Sequence, residues 1–299
     1  MNSHIGLIAL YSMRFAMRTG GGIIFIMVLL TVGFSIASLF ISPVESLLTK
    51  SGVSSAETVA ETYRMISTSD TIKGAVAWIT GADQAQSTYL ITEKPALLSA
   101  ILLFLLMFIP YTTCLGAFNQ TAGDIGNRGF RYLLLRTERR NIFFGRFLGA
   151  VSFTVISSIF TMAVVALYLQ FKVGIYPGLA IWLWSSQGLL AILALSLPYA
   201  ALCAWFSAAL DSAFGSLAIC LLVTGFTVLL ITLFQSVGTV SLNMKPGDLN
   251  WLQRLTPWGW KYELLSGKIE TRSLAYLAMA GFTGLFLWLG LRTFEKRDL

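Results

Sequence analysis

Six stretches of this chain stay apolar for about 18 residues or more, and they restrict the fold more than any other feature. They run roughly over residues 22–41, 96–118, 144–171, 178–210, 213–235 and 274–291. A helix that crosses the hydrocarbon of a bilayer needs about 20 mostly apolar residues. The second and fifth runs are almost unbroken, and Leu97 to Leu106 contains only one hydroxyl, Ser99. The fourth is long for one perpendicular crossing unless its start lies in the interface. The composition agrees with spans rather than a soluble core. Charged residues make up 12% of the chain, against about 25% in soluble domains. So few charges cannot cover a water-facing surface. Disordered, collagen-like and disulfide-rich secreted chains are excluded on the same grounds.

The first run is longer than the apolar core of a cleaved signal peptide, about 7–15 residues. It follows a segment, Ile5 to Thr19, in which Arg14 and Arg18 share one helical face and Ile5, Ile8 and Phe15 lie broadly opposite. That pattern predicts a helix lying in the interface over residues 1–20, its arginines toward headgroups.

Charge sets the orientation. With an even number of spans and the N-terminus inside, the inner segments hold eleven Lys and Arg against five acids. The outer segments hold ten against nine. Positive residues close to span ends favour the cytoplasm, and six arginines fall within residues 128–146 alone. Both termini are therefore expected inside. The net charge of +7 reports orientation and gives no reason to invoke nucleic acid. The fold expected is all-α and integral to the membrane. It comprises six transmembrane helices, an N-terminal interfacial helix and a cytoplasmic helix between spans two and three, in a single domain over residues 1–299.

Two outer segments are long, 42–95 and 236–273. The second contains Trp251, Trp258, Trp260 and Tyr262, and aromatic residues of this kind favour the headgroup zone. An interfacial or re-entrant element is expected there.

Catalytic and metal-binding patterns are missing. The single histidine is His4, so no His-based metal site or Ser/His triad is expected within the spans. Cys114, Cys203 and Cys220 fall in apolar runs without CxxC spacing and read as small buried hydrophobes. No span carries an ionisable group at its centre, which argues against a proton- or sodium-coupled carrier. Asp211 sits at the turn between the fourth and fifth runs, where a helix-capping role is expected. No phosphate-binding loop is present: Tyr262 stands where the motif before Gly267-Lys268 needs its first glycine, and Ile269 follows the lysine. No catalytic residue and no metal ligand is assigned.

Residues 121–143 carry the most information. Read as a helix from Arg128, they place Phe130, Leu133, Leu134 and Thr137 on one stripe and Arg128, Tyr132, Arg136 and Arg139 on another. Such an amphipathic helix suits docking on lipid or in the groove of a soluble partner, and the pattern alone favours neither. The segment resembles the first cytoplasmic loop of type-2 ABC transporter permeases. The matching places are Asp124, Gly126 or Gly129, Leu133-Leu134, Arg139 or Arg140, and Gly145-Arg146. It carries Asp where Glu is more usual, Arg after Gly145 where Lys is more usual, and Thr137-Glu138 where proline is frequent. The closing Phe294 to Leu299 is similar to the basic tail common in that family.

The resemblance implies a permease subunit of an exporter, with two permease copies and two copies of a separate ATPase. It implies that ATP and Mg bind the partner ATPase and that this chain holds no cofactor of its own. Asp124, Gly126, Arg128, Gly129, Phe130, Leu133, Leu134, Arg136 and Arg139 would then form the coupling helix that the ATPase contacts. The same resemblance implies a multi-pass protein of a bacterial cytoplasmic (inner) membrane that moves a hydrophobic or amphipathic substrate. A non-transporting membrane anchor and a lipid-modifying enzyme stand as alternatives.

Overall fold

The computed structural model describes residues 2–18, 20–50, 88–127, 133–173, 176–241 and 253–297. All regular structure among them is helical. The long helices are α1 (Asn2–Arg18), α2 (Gly20–Lys50), α3 (Ala96–Ala117), α5 (Arg139–Val173), α6 (Gly178–Ala209), α7 (Ala213–Ser241) and α8 (Ile269–Glu295). A one-turn helix, α4 (Ala122–Gly126), follows α3. Short π- and 3-10 turns occupy Tyr89–Glu93, Pro257–Trp260 and Glu263–Leu265.

Five of these helices are each long and apolar enough to cross a membrane, and α1 with α2 counts as a sixth as a pair bent by 70°. Each apolar run therefore coincides with one long helix to within a residue, inside helix bounds that are sometimes wider. Several helices outrun them. α5 begins five residues before its run, because the Glu138 carbonyl accepts from Asn141 and Ile142 and starts the helix there. α2 continues to Lys50, nine residues past its run and into the expected outer segment. α6 is one continuous helix of 32 residues, or roughly 48 Å at 1.5 Å per residue. That exceeds the ~30 Å hydrocarbon thickness, so α6 is tilted or projects beyond it.

α3 and α6 are central. Their apolar windows are 72% and 67% buried, against 22% for α7 and 17% for α8. The larger buried cluster joins α2, α3, α5, α6 and α8 around Leu98, Leu102, Phe153, Trp184 and Leu195. A second cluster gathers Cys114, Phe143, Phe147, Cys203, Cys220 and Phe294 nearer the opposite end. The three cysteines, far apart in sequence, meet there on α3, α6 and α7 as free buried thiols.

α1 packs along α5. Gly145 and Gly149 make that seat. A Cβ at Gly149 would stand 2.6 Å from Ser12 Cβ and 2.9 Å from the Ala9 carbonyl oxygen. One at Gly145 would stand 2.7 Å from Ile8. Small residues let two helices approach this closely. The packed face of α1 is Ile5, Ile8 and Ser12, while Arg14 and Arg18 are exposed as the pattern predicts. Phe15, on the other side of the helix, is also uncovered. It is 52% exposed and lies near Tyr11, whose ring centroid is 6.4 Å from its own. Docking on α5, rather than amphipathic symmetry alone, decides which face is covered.

Candidate functional site

Two clusters of polar side chains lie at opposite ends of the helix bundle. One end is built from arginines, where α3 leaves, α5 begins, α6 turns into α7 and α8 stops. Each of these helix ends presents carbonyl or amide groups that the helix cannot satisfy itself. Side chains from elsewhere satisfy them.

The connection after α3 is held by α6 and α7. Ser207 Oγ accepts from the backbone N–H groups of Thr121 (2.8 Å) and Ala122 (2.9 Å). Gln120 Nε2 donates to the Ala117 and Ala200 carbonyls at 3.0 and 2.9 Å. Ser216 Oγ donates to the Phe118 carbonyl at 2.9 Å. Asn119 Oδ1 accepts from Gly123 N at 2.9 Å, capping the short α4. Asp124 on α4 pairs with Arg146 on α5. Gly126 lies against the α6–α7 turn so closely that a Cβ would come within 2.4 Å of the Asp211 carbonyl oxygen.

Arg139 Nη1 reaches the far end of α8 and donates to the carbonyls of Glu295 (2.9 Å) and Arg297 (2.6 Å). Arg140 pairs with Glu295 at 2.7 Å. Arg297 donates to the Ala208 carbonyl at 2.7 Å and pairs with Asp211. Cations at helix C-termini also oppose the negative end of the helix dipole. Asp211 is thus an ion-pair partner rather than the expected cap. Ser212 caps α7 instead, its Oγ accepting from Gly215 N at 3.2 Å.

The residues singled out in 121–143 divide accordingly. Asp124, Gly126 and Arg139 are engaged within the chain. Leu133 and Leu134 are half-buried and pack on the second core cluster. Arg136 is exposed. Arg128, Gly129 and Phe130 lie outside the described residues. The continuous helix expected over this stretch is interrupted: Leu133 to Thr137 makes one hydrogen-bonded turn, and the chain breaks at Glu138 before α5. Leu135, which the stripe pattern did not select, is the residue that projects, at 84% exposure. The run of three leucines was the available signal: one turn cannot bury all three on one side.

No protein-family model matches the chain, and no curated protein resembles it in sequence.

The other end is built from aromatic rings. Trp258, Trp260 and Tyr262 are buried within the protein, so they do not face outward as an interfacial belt would. Trp251 lies outside the described residues. Trp260 Nε1 donates to the Arg254 carbonyl at 2.9 Å, which satisfies its one polar atom and lets the ring go inside. Lys261 Nζ sits 4.2 Å from the ring centroids of both Trp258 and Tyr262. Those faces favour the ammonium, but burial outweighs them and pushes its pKa down to about 7. Lys94 Nζ lies 5.4 Å from the Tyr89 ring and 5.2 Å from that of Trp184. Among the described residues, no group of three or more His, Cys, Asp or Glu is placed to hold a metal ion.

Proposed function

We propose that this chain is the membrane-spanning permease subunit of an ATP-binding cassette exporter and that a separate ATPase docks on the arginine-rich end. The observation that carries this reading is the placement of Leu135. It projects from a short turn, with exposed Arg136 beside it. The flanks of that turn are tied to helix ends: Asp124 to α5, Arg139 to the end of α8, and Gly126 against the α6–α7 turn. A partner that grips the turn therefore pulls on α5, which follows it, and through Arg139 on the end of α8. Closure of the ATPase would bias the bundle between two states by the difference in its affinity for them.

The arginine-rich end faces the cytoplasm in this reading, and the membrane is a bacterial inner membrane. ATP and Mg sit on the ATPase. A second copy of the chain completes the pathway, and the sparsely covered α7 and α8 leave apolar surface for lipid or that copy. The substrate class is hydrophobic or amphipathic.

Leu135→Asp tests the docking. The exposed site tolerates the change, so stability in detergent should stay within about 0.5 kcal/mol. Partner-stimulated ATP hydrolysis should fall at least tenfold. Unchanged stimulation in a folded variant would refute docking at this turn.

A further inference from the structure

A cavity of about 310 Å³ lies where α1 bends toward α2, between α1, the end of α3 and α5. Its lining includes Ser12 and Phe15 of α1, Leu115 and Gln120 near the end of α3, and Arg146 and Ala150 of α5. Three buried polar atoms, on α1, on the connection after α3 and on α5, have no partner: Ser12 Oγ, Gln120 Oε1 and Arg146 Nε. Ser12 and Gln120 are 9% and 5% exposed. Leaving a buried donor or acceptor unpaired costs about 1–3 kcal/mol each, and all three atoms belong to residues that line this one cavity.

The atoms specify its chemistry. Arg146 gives one edge of its guanidinium to Asp124 through Nη2, and its Nε–H still requires an acceptor. Gln120 has committed its amide N–H groups to the Ala117 and Ala200 carbonyls, and its Oε1 requires a donor. Ser12 can serve either way. Arg146 is the charged residue of the lining, and α1, which forms one wall, carries Arg14 and Arg18 and no acid; a cationic lining suits an anion. Phe15, Leu115 and Ala150 supply apolar walls, and the exposed Phe15 marks the mouth. Leu7, Leu10 and Tyr11 of α1 are likewise exposed and apolar or aromatic. A mouth on such a face opens toward lipid rather than water.

We infer that this cavity holds the headgroup of a glycerophospholipid whose phosphate meets Arg146 and whose hydroxyl or ammonium N–H donates to Gln120. The site follows from the membrane fold alone and does not depend on the transporter reading. A phosphate ester of this kind also exists as a soluble headgroup, so the acyl chains need their own test. Choline headgroups carry no N–H or O–H donor and serve as the selective comparison.

The test is native mass spectrometry of the full-length protein in mild detergent, after delipidation and titration with defined lipids. Phosphatidylglycerol or phosphatidylethanolamine should bind as one tight copy per chain, at least about tenfold more tightly than phosphatidylcholine, for the loss of one buried hydrogen bond. Glycerol 1-phosphate and inorganic phosphate should not displace it at equal concentration. Ala150→Leu fills the cavity and should abolish the tight copy. Arg146→Lys keeps the charge beside Asp124 but removes Nε, and should weaken phosphatidylglycerol at least tenfold. Size-exclusion profile and thermal unfolding identify folded variants, and either variant suffices if the other does not fold. Equal binding of phosphatidylcholine, full competition by soluble phosphate, or a tight copy that survives in a folded variant would overturn the proposal.

Discussion

The two ends of the bundle hold most of their cations in different ways, with Arg292 in the last turn of α8 an exception that lies over the Trp288 ring at 4.0 Å. At the arginine-rich end, guanidinium groups reach carboxylates and helix-terminal carbonyls on other helices: Asp124 with Arg146, Asp211 with Arg297, and Arg139 with the end of α8. At the aromatic end, lysines lie over rings, as Lys94 and Lys261 do. Arg254 combines both modes, 5.3 Å from the Trp260 ring and 3.2 Å from Glu263. The contrast teaches what each end can transmit. Bonds that join the ends of several helices couple their movements. Ring contacts in the short segments around Lys94 and Lys261, one of them reaching Trp184 of α6, fill space and seal it. An energy-supplying partner has more to act on at the first end.

The contrast can be broken at several points. Gly149→Leu should have the largest effect. It drives a side chain into Ser12 and the Ala9 carbonyl, and overpacking of this kind costs at least about 1–3 kcal/mol. Thermal unfolding and protease cleavage within α1 should both report the loss, with the aromatic end still protected.

Lys261→Met comes next and acts only at the aromatic end. The folded pKa of Lys261 lies near 7, below its ordinary value of 10.5. Between those pH values the unfolded chain binds a proton that the folded chain does not, so stability rises with pH across the window. Below about pH 7 both states carry the proton and the full penalty is present. Relative to wild type, the methionine variant should therefore be more stable at pH 6.5. That advantage should shrink by pH 10, as measured by unfolding in the same detergent. An advantage independent of pH would show that Lys261 is charged throughout.

Arg297→Ala removes a carbonyl bond and an ion pair whose carboxylate is largely exposed. The expected loss is about 1–2 kcal/mol, nearly all from the carbonyl bond. Arg140→Ala should be smallest, with no resolvable change in unfolding, because its side chain is mostly solvent-exposed and such pairs contribute little.

Much of the fold was legible in the sequence because a span is a local property. Twenty apolar residues announce themselves without reference to the rest of the chain, and α3, α6 and α7 start where their runs start. Pairings between distant residues leave no such mark. Asp124 with Arg146 and Asp211 with Arg297 depend on which helix ends meet, and spacing says nothing of that. The aromatic segment left its surroundings open for a physical reason. Tryptophan suits both the headgroup zone and a protein interior once its N–H is bonded, and Trp260 found the Arg254 carbonyl. Leu133 and Leu134 read as a docking stripe because a half-buried and a partner-facing leucine look alike. Only the three-dimensional arrangement shows that Leu135 projects and its neighbours pack.

Site-specific photo-crosslinking from position 135 in native membranes tests docking most directly. A photoreactive residue replacing Leu135 should capture an ATPase subunit carrying a phosphate-binding loop, and the intact complex released by mild detergent should contain equal numbers of both chains. Crosslinks to lipid alone, with no ATPase recovered under those conditions, would contradict the proposed permease function.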